Sequence, residues 1–256
     1  MKKISAFLIS LLCLTSFGQQ DETNKNFKKV TETETYSTLY SDGKRRISTS
    51  EINEYYYNKQ GKITQNIRKT FYKNEPYAAT RTTYFYNDKN KIDFTETTLL
   101  KDSLKYRTIY TYLNGAIQKK STTYTSNNNL TNYSESFYYN QQNELITCDF
   151  LYSVMDLYTE NRSRNLKATY TYNKKGQIIE SDWTKSDSTY KYNRIVHFRN
   201  RKGYRTKAKV FNKNNKHLKT VTFKYVFDDK NNWIIMKHYE KKQLTKAIYR
   251  EIEYYE

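Results

Sequence analysis

The chain has 256 residues, of which 36% are hydrophobic, and 28 tyrosines supply much of that share. Lys and Arg number 45 against 26 Asp and Glu, a formal net charge of +19. These values exclude a globule with an oily centre and favour a thin sheet rich in surface, where tyrosine rings bury and their hydroxyls stay wet.

Residues 1–18 read as a secretory signal peptide. Lys2 and Lys3 precede an apolar run from Ile4 to Leu14, and Ser16-Phe17-Gly18 ends on a small residue. The run is too short to span a bilayer. Cys13 follows Leu12 rather than a small residue, a poor fit to a lipid-modified cysteine. Without Lys2 and Lys3 the chain keeps 43 basic and 26 acidic residues, a net +17. It also keeps a single cysteine, Cys148, which alternates with Ile146 and Phe150 as a small buried hydrophobe would. Residues 19–30 read as a disordered leader, and 31–256 as one domain.

From Val30, the run Val-Thr-Glu-Thr-Glu-Thr-Tyr alternates as a first strand. A repeated sentence then begins. It stands as Tyr55-Tyr-Tyr-Asn-Lys-Gln-Gly-Lys-Ile63, Tyr84-Phe-Tyr-Asn-Asp-Lys-Asn-Lys-Ile92 and Tyr170-Thr-Tyr-Asn-Lys-Lys-Gly-Gln-Ile178. Looser copies start at Tyr110, Phe137, Val196 and Tyr225. Their third residues are Tyr57, Tyr86, Tyr112, Tyr139, Tyr172, Phe198 and Phe227, with gaps of 26 to 33 residues. Two aromatics spaced by one share a strand face, Asn opens a turn, and Gly61, Asn90, Gly115, Asn143, Gly176, Gly203 or Asn232 closes it at positive φ. Each copy predicts a β-hairpin. Polar clusters midway between copies, including Asn74-Glu75-Pro76, supply the alternate turns. The fold class expected is all-β: an antiparallel meander of about seven hairpin repeats in an extended, twisted or spiralling sheet. Leu151–Leu157 reads either as part of a strand pair or as a short helical insertion.

Tyr-x-Tyr-Asn-x-x-Gly-x-Ile resembles the YD repeat of the RHS/YD-repeat proteins, from about Tyr36 to Tyr255. The resemblance implies a spiralling antiparallel sheet, and in some members carbohydrate binding. The chain is too short for the shell that large members form, so a toxin-delivery role is not implied.

Chemistry-bearing motifs are scarce. His197, His217 and His238 have no metal-ligand spacing, and no nucleophile, phosphate-loop or dinucleotide motif occurs. No metal and no cofactor is expected. Asp228–Asn232 imitates a calcium loop, but Trp233 stands where an oxygen ligand is needed, so it reads as a hairpin turn. Glu180 with Asp182, and Glu251 with Glu253, share strand faces and are the remaining route to a glycan hydrolase. Acids on a basic sheet more simply balance lysines.

Basic residues gather at Lys44–Arg46, Lys119-Lys120, Arg199–Lys209, Lys213–Lys219 and Lys237–Lys242, among tyrosines. That pattern suits a polyanion-binding face, and it equally suits solubility and edge protection. An outer-membrane barrel is not expected, because strands such as Arg205–Val210 give too few aliphatic positions for a lipid-facing band. The expectation is an exported, non-enzymatic scaffold, periplasmic, cell-surface or secreted, that binds an anionic glycan or an envelope protein. Nucleic acid is disfavoured by the export signal. A purely structural role is the alternative, and a carboxylate hydrolase the last. Trp183, Arg201 and Trp233 are the expected ligand contacts.

Overall fold

The computed structural model describes residues 26–256 apart from 41–42, 73, 102–104, 114–115, 127–128, 140–144, 157–161, 174–176 and 186–193. Its strands are β1 (Phe27–Leu39), β2 (Arg45–Tyr57), β3 (Ile63–Tyr72), β4 (Glu75–Tyr86), β5 (Ile92–Leu99), β6 (Lys105–Leu113), β7 (Ala116–Ser126) and β8 (Asn129–Tyr139). There follow β9 (Leu145–Asp156), β10 (Arg162–Tyr172), β11 (Ile178–Lys185), β12 (Arg194–Arg199), β13 (Arg205–Phe211), β14 (His217–Phe227), β15 (Trp233–Glu240) and β16 (Gln243–Tyr254). Each strand pairs with the next, antiparallel, and β1 pairs with β16.

The expected meander of hairpins is present, but the extended or spiralling sheet is not: the meander closes into a barrel of sixteen strands. Closure removes both edges, which solves by geometry what edge lysines were expected to solve by charge. One further expectation is corrected, and one open alternative is decided in favour of strand. β1 starts at Phe27, so the end of the presumed leader belongs to the sheet. Leu151–Asp156 is strand, paired with Asn129–Ser134 on one side, and no helix forms there.

The repeated sentence marks one rim of the barrel. All seven copies lie at the turns from even- to odd-numbered strands. In the β2–β3 turn, Asn58 N–H donates to the Lys62 carbonyl and Gly61 N–H to the Asn58 carbonyl, both at 2.9 Å. The Asn58 Oδ1 accepts from the Gln60 and Lys62 amides at 3.0 Å. Asn87 repeats this arrangement. Gly61, Asn90 and Gly203 close their turns at φ 74°, 61° and 89°. In the last copy the residue is Asn231 at φ 59°, one earlier than expected. Gly115, Asn143 and Gly176 lie outside the described residues. The eighth position of this rim is the seam, where Tyr255 N–H donates to the Asn26 carbonyl at 2.9 Å.

Pairing register slips at the same place in every copy, between Tyr56/Tyr57, Phe85/Tyr86, Thr111/Tyr112, Tyr138/Tyr139, Thr171/Tyr172, Phe198/Arg199 and Val226/Phe227. In each copy the extra residue lies on the returning strand, as Thr64 does between Ile63 and Gln65, and such a bulge bends that strand and re-aims its first side chain. In the Val196 copy the residue in the place of Tyr57 is Arg199, directly before the turn residue Asn200. Phe198, expected there from its aromatic ring, falls on the opposite face and is 36% exposed.

Strand alternation gives the wall two faces, and burial tells them apart. Thr97 (6% exposed), His197 (5%) and Ala168 (0%) fall on one set of cross-strand partners, while Ile109 (53%) and Tyr138 (52%) fall on the other. The crowded set is the concave, inward face. Sixteen strands enclose a lumen wider than side chains from opposite walls can fill. The ring cluster of Phe27, Val30 and Tyr57, with Tyr55, Ile63, Ile252 and Tyr254, runs along the wall from β16 to β3.

Candidate functional site

The lumen wall is lined by ion pairs, threonines and aromatic rings. Arg250 meets Glu32 at 2.6 Å, and Lys120 meets Glu135 at 3.1 Å. Lys246 pairs with Glu34, Arg68 with Glu51, and Lys219 with Glu240. Between β4 and β7, hydroxyls couple across strands, Thr82 to Thr97 at 2.9 Å and Thr108 to Thr122 at 2.6 Å. Near the motif rim, Tyr86 donates to the Ile63 carbonyl at 2.7 Å and Tyr112 to the Ile92 carbonyl at 2.6 Å. Each bond ties one hairpin to the hairpin before it.

The sector from β11 to β15 departs from this balance. The slip at Phe198/Arg199 makes Arg199 and Arg205 direct cross-strand partners, facing inward. Arg199 occupies the position of the rim tyrosines and makes their bond, donating through Nε to the Ile178 carbonyl at 3.2 Å and through Nη1 to the Gly203 carbonyl at 2.8 Å. Arg205 lies 5.0 Å from the centre of the Phe223 ring. Its Nε is enclosed and has no hydrogen-bond partner. Neither guanidinium has a carboxylate within ion-pair distance among the described residues.

Two imidazoles flank this pair. The His197 Nε2 is 3.4 Å from Ser181 Oγ, and His238 meets the Phe223 ring edge to face at 4.6 Å. The His197 Nδ1 and His238 Nε2 are buried without partners. Burial drives both pKa values down to about 3, aided at His197 by Arg205 and Arg199 and at His238 by Lys246 and Arg205. Both rings are therefore neutral at physiological pH. Burial also holds Arg205 below the ordinary arginine value; Tyr225 acts in the opposite direction, and Arg199 adds to the lowering. Tyr204 completes the rim side of the cluster, 5.3 Å from Tyr225 and 5.0 Å from Phe227.

Of the three expected contacts, Arg201 and Trp233 have described side chains. Arg201 is exposed at the tip of the β12–β13 turn. Trp233 lies in the lumen wall with the Arg250 guanidinium 3.7 Å from its ring centre. Trp183 pairs with Ala168 on β10, and its side chain lies outside the described residues, as does that of Cys148. Glu180 is bound by Arg194 at 2.6 Å and 3.0 Å on the outer face, and that hydrogen bonding lowers its pKa despite some burial. Among the described residues no cluster of three His, Cys, Asp or Glu could hold a metal ion. Asp228–Asn232 is a hairpin turn, with Asn232 N–H donating to Asp228 Oδ1 at 2.7 Å.

Sequence reasoning missed Arg199 and Arg205 because they sit inside a run of bases. A signal was available. The residue before the turn Asn faces the lumen at Tyr57, Tyr86 and Tyr172, and Arg199 precedes Asn200 in the same way.

The outer wall is charged and studded with rings. Phe198 lies between Lys207 at 4.4 Å and Lys209 at 5.8 Å, and Arg107 covers Phe94 at 4.2 Å. Lys29 with Glu54, Arg107 with Glu96, and Arg194 with Glu180 form ion pairs there. No helix among the described residues is long and apolar enough to cross a membrane.

No protein-family model and no curated protein matches the sequence. Among solved structures, the chain is similar to a porin-like protein from Bacteroides uniformis ATCC 8492. Identity is 13% and TM-score 0.53, over 90% of this chain and 98% of that one. A porin-like protein from Bacteroides vulgatus ATCC 8482 aligns at 12% identity and TM-score 0.32, over 91% and 99%. The first likeness speaks to the fold. It overturns the RHS/YD-repeat resemblance, whose spiral this chain does not adopt. The shared sentence encodes a bulged hairpin, and hairpins build a closed ring as readily as a spiral.

Proposed function

We propose that the chain is an exported, non-enzymatic barrel of the cell envelope that binds a glycan or a protein partner through its lumen and motif rim, in water rather than as a lipid-spanning pore. The observation that carries this reading is the division of labour between the two faces. The inward face combines aromatic rings, hydroxyls and fixed charges, the side chains that bind sugars and polar ligands. The outward face presents Lys69, Arg107, Lys119, Lys207, Lys209, Lys224 and Lys237. On a lipid-facing wall each of these would cost about 2–4 kcal/mol near the bilayer midplane. The porin-like likeness and the signal-like leader support an envelope address.

Within this reading Trp233 is the best placed of the expected contacts, since its ring lines the lumen wall. Arg201 would touch only a ligand that spans the rim. A purely structural role draws support from the outer patch where Phe85 stacks on Phe94 at 4.4 Å. The hydrolase reading loses its best carboxylate, because Glu180 is committed to Arg194.

The test pairs two assays on the purified chain lacking residues 1–18. In flotation with lipid vesicles the protein is expected to stay in the aqueous fraction; co-flotation would defeat the wet-barrel reading. On a panel of glycans at low and high salt, one or a few ligands are expected to survive salt. Binding to every polyanion that vanishes with salt would reduce the charge to a nonspecific role.

A further inference from the structure

We infer that Arg199 and Arg205 anchor a built oxyanion site on the lumen wall, shaped for the phosphate, sulfate or carboxylate group of a ligand. The inference deepens the ligand-binding reading above and rests on it for the rest of that ligand.

Like charges directly opposite each other on antiparallel strands destabilise a sheet. Elsewhere in the described lumen opposite charge offsets this cost: Glu34 and Glu51 also stand opposite each other but are met by Lys246 and Arg68, and Lys120, Lys219 and Arg250 each have a glutamate. At Arg199 and Arg205 the sequence supplies two guanidiniums in cross-strand register and no carboxylate for either among the described residues. Their placement is nonetheless fixed. Arg199 is held by two carbonyls and Arg205 lies over Phe223. An enclosed guanidinium Nε without a partner is a donor waiting for an acceptor.

The neighbours complete the site. His197 Nδ1 and His238 Nε2 are enclosed and unpartnered, so each neutral imidazole can turn an N–H toward an oxygen or accept from a ligand hydroxyl. Tyr204, with Tyr225 at 5.3 Å and Phe227 at 5.0 Å, sets an aromatic cluster on the rim side, where the remainder of a sugar would lie. An oxyanion bound here would neutralise both arginines, take up the free Nε and relieve the cross-strand repulsion. A guanidinium fork suits planar or tetrahedral oxygens, which an ammonium would not hold in register.

Binding is measured by calorimetry and thermal melting with inorganic phosphate, sulfate and glucuronate, each against chloride at matched ionic strength and neutral pH. The wild-type chain is expected to bind at least one oxyanion selectively and to melt higher with it. Arg205→Met is expected to weaken that binding by about tenfold or more. It should also melt higher than wild type without oxyanion, since a desolvated unmatched charge has gone. Arg107→Gln on the outer wall should keep the oxyanion response. If Arg205→Met does not fold, the ring resonances of His197 and His238 in the wild type serve instead: they are expected to shift on oxyanion addition. No selectivity over chloride, or an equal loss in Arg107→Gln, overturns the site. Glycan binding that survives Arg205→Met overturns it while leaving the lumen reading intact. Oxyanion binding without any glycan or protein ligand supports the site and removes the broader reading.

Discussion

The hydroxyl of Tyr86 donates to the carbonyl of Ile63 at 2.7 Å, and that bond joins two hairpins rather than two strands of one. Tyr112 does the same to Ile92, and Arg199 to Ile178. Replacing Tyr86 and Tyr112 by Phe removes the bonds and keeps the rings. Each change should cost about 1 kcal/mol, near-additively, as a fall in the urea midpoint. Unchanged midpoints would mean that these bonds add nothing beyond ring burial.

Turn geometry predicts opposite responses at two closers. Asn90 already pays for its positive φ, so Asn90→Gly should be neutral or slightly stabilising in a thermal melt. Gly203 sits at φ 89°, with the amide of Gln177 against the space a Cβ would need. Gly203→Ala should cost about 1–3 kcal/mol. Equal effects at the two positions would refute the conformational argument.

Asp228 replaces the usual turn asparagine. Burial works against its charged form, but hydrogen bonds from Asn232 and Tyr254 outweigh it and lower its pKa. A depressed carboxylate pKa contributes stability that is present above its unfolded value and is lost as pH falls through the folded one. Asp228→Asn preserves the Oδ1 acceptor used by Asn58 and Asn87. It should therefore destabilise mildly at neutral pH and match wild type in strong acid. A gap in melting temperature that persists at low pH would locate the effect elsewhere.

The buried histidines predict an acid limb. With folded pKa values near 3, His197 and His238 bind fewer protons folded than unfolded. Stability should fall as pH drops from about 6.5, the unfolded value, toward 3. The groups that face them are Arg199 and Arg205 for His197, and Lys246 and Arg205 for His238. His197→Gln with His238→Gln should flatten the melting temperature over that window. A slope unchanged in the double variant would assign the acid limb to carboxylates.

The seam ion pairs predict asymmetry between single and double changes. Glu34 and Lys246 are each 12% exposed, so Lys246→Met strands a carboxylate at a cost of about 3–5 kcal/mol. Adding Glu34→Leu should restore most of it. A double variant as unstable as the single one would show that the ion pair itself stabilises the barrel.

The hairpins were legible because their chemistry is local. Asn58, Gly61 and the alternation around Tyr55 and Tyr57 all act within nine residues. Closure was not legible, since the register that decides it pairs Glu32 with Arg250 across the whole domain. The polarity of both faces misled as well. A wet lumen lets polar residues alternate inward, so tyrosine and lysine content could not separate a closed wall from an open sheet. The candidate site was hidden because the aromatic ring of Phe198 drew the repeat onto the wrong residue, whereas plain alternation from His197 turns Arg199 inward. The one-residue slip on β13 that sets Arg205 opposite it leaves no mark in the sequence.

The seam also sets an order of events. Arg250 reaches Glu32 across a separation of 218 residues, whereas each hairpin closes over a few. Loop-closure entropy grows with the length enclosed, so these last rungs carry the largest entropic cost in the molecule. Until they form, a nearly complete sheet carries two bare edges, β1 and β16, and each can recruit a strand from another molecule. Assembly of the ring is thus a race between meeting its own end and meeting a neighbour, and dilution favours the first.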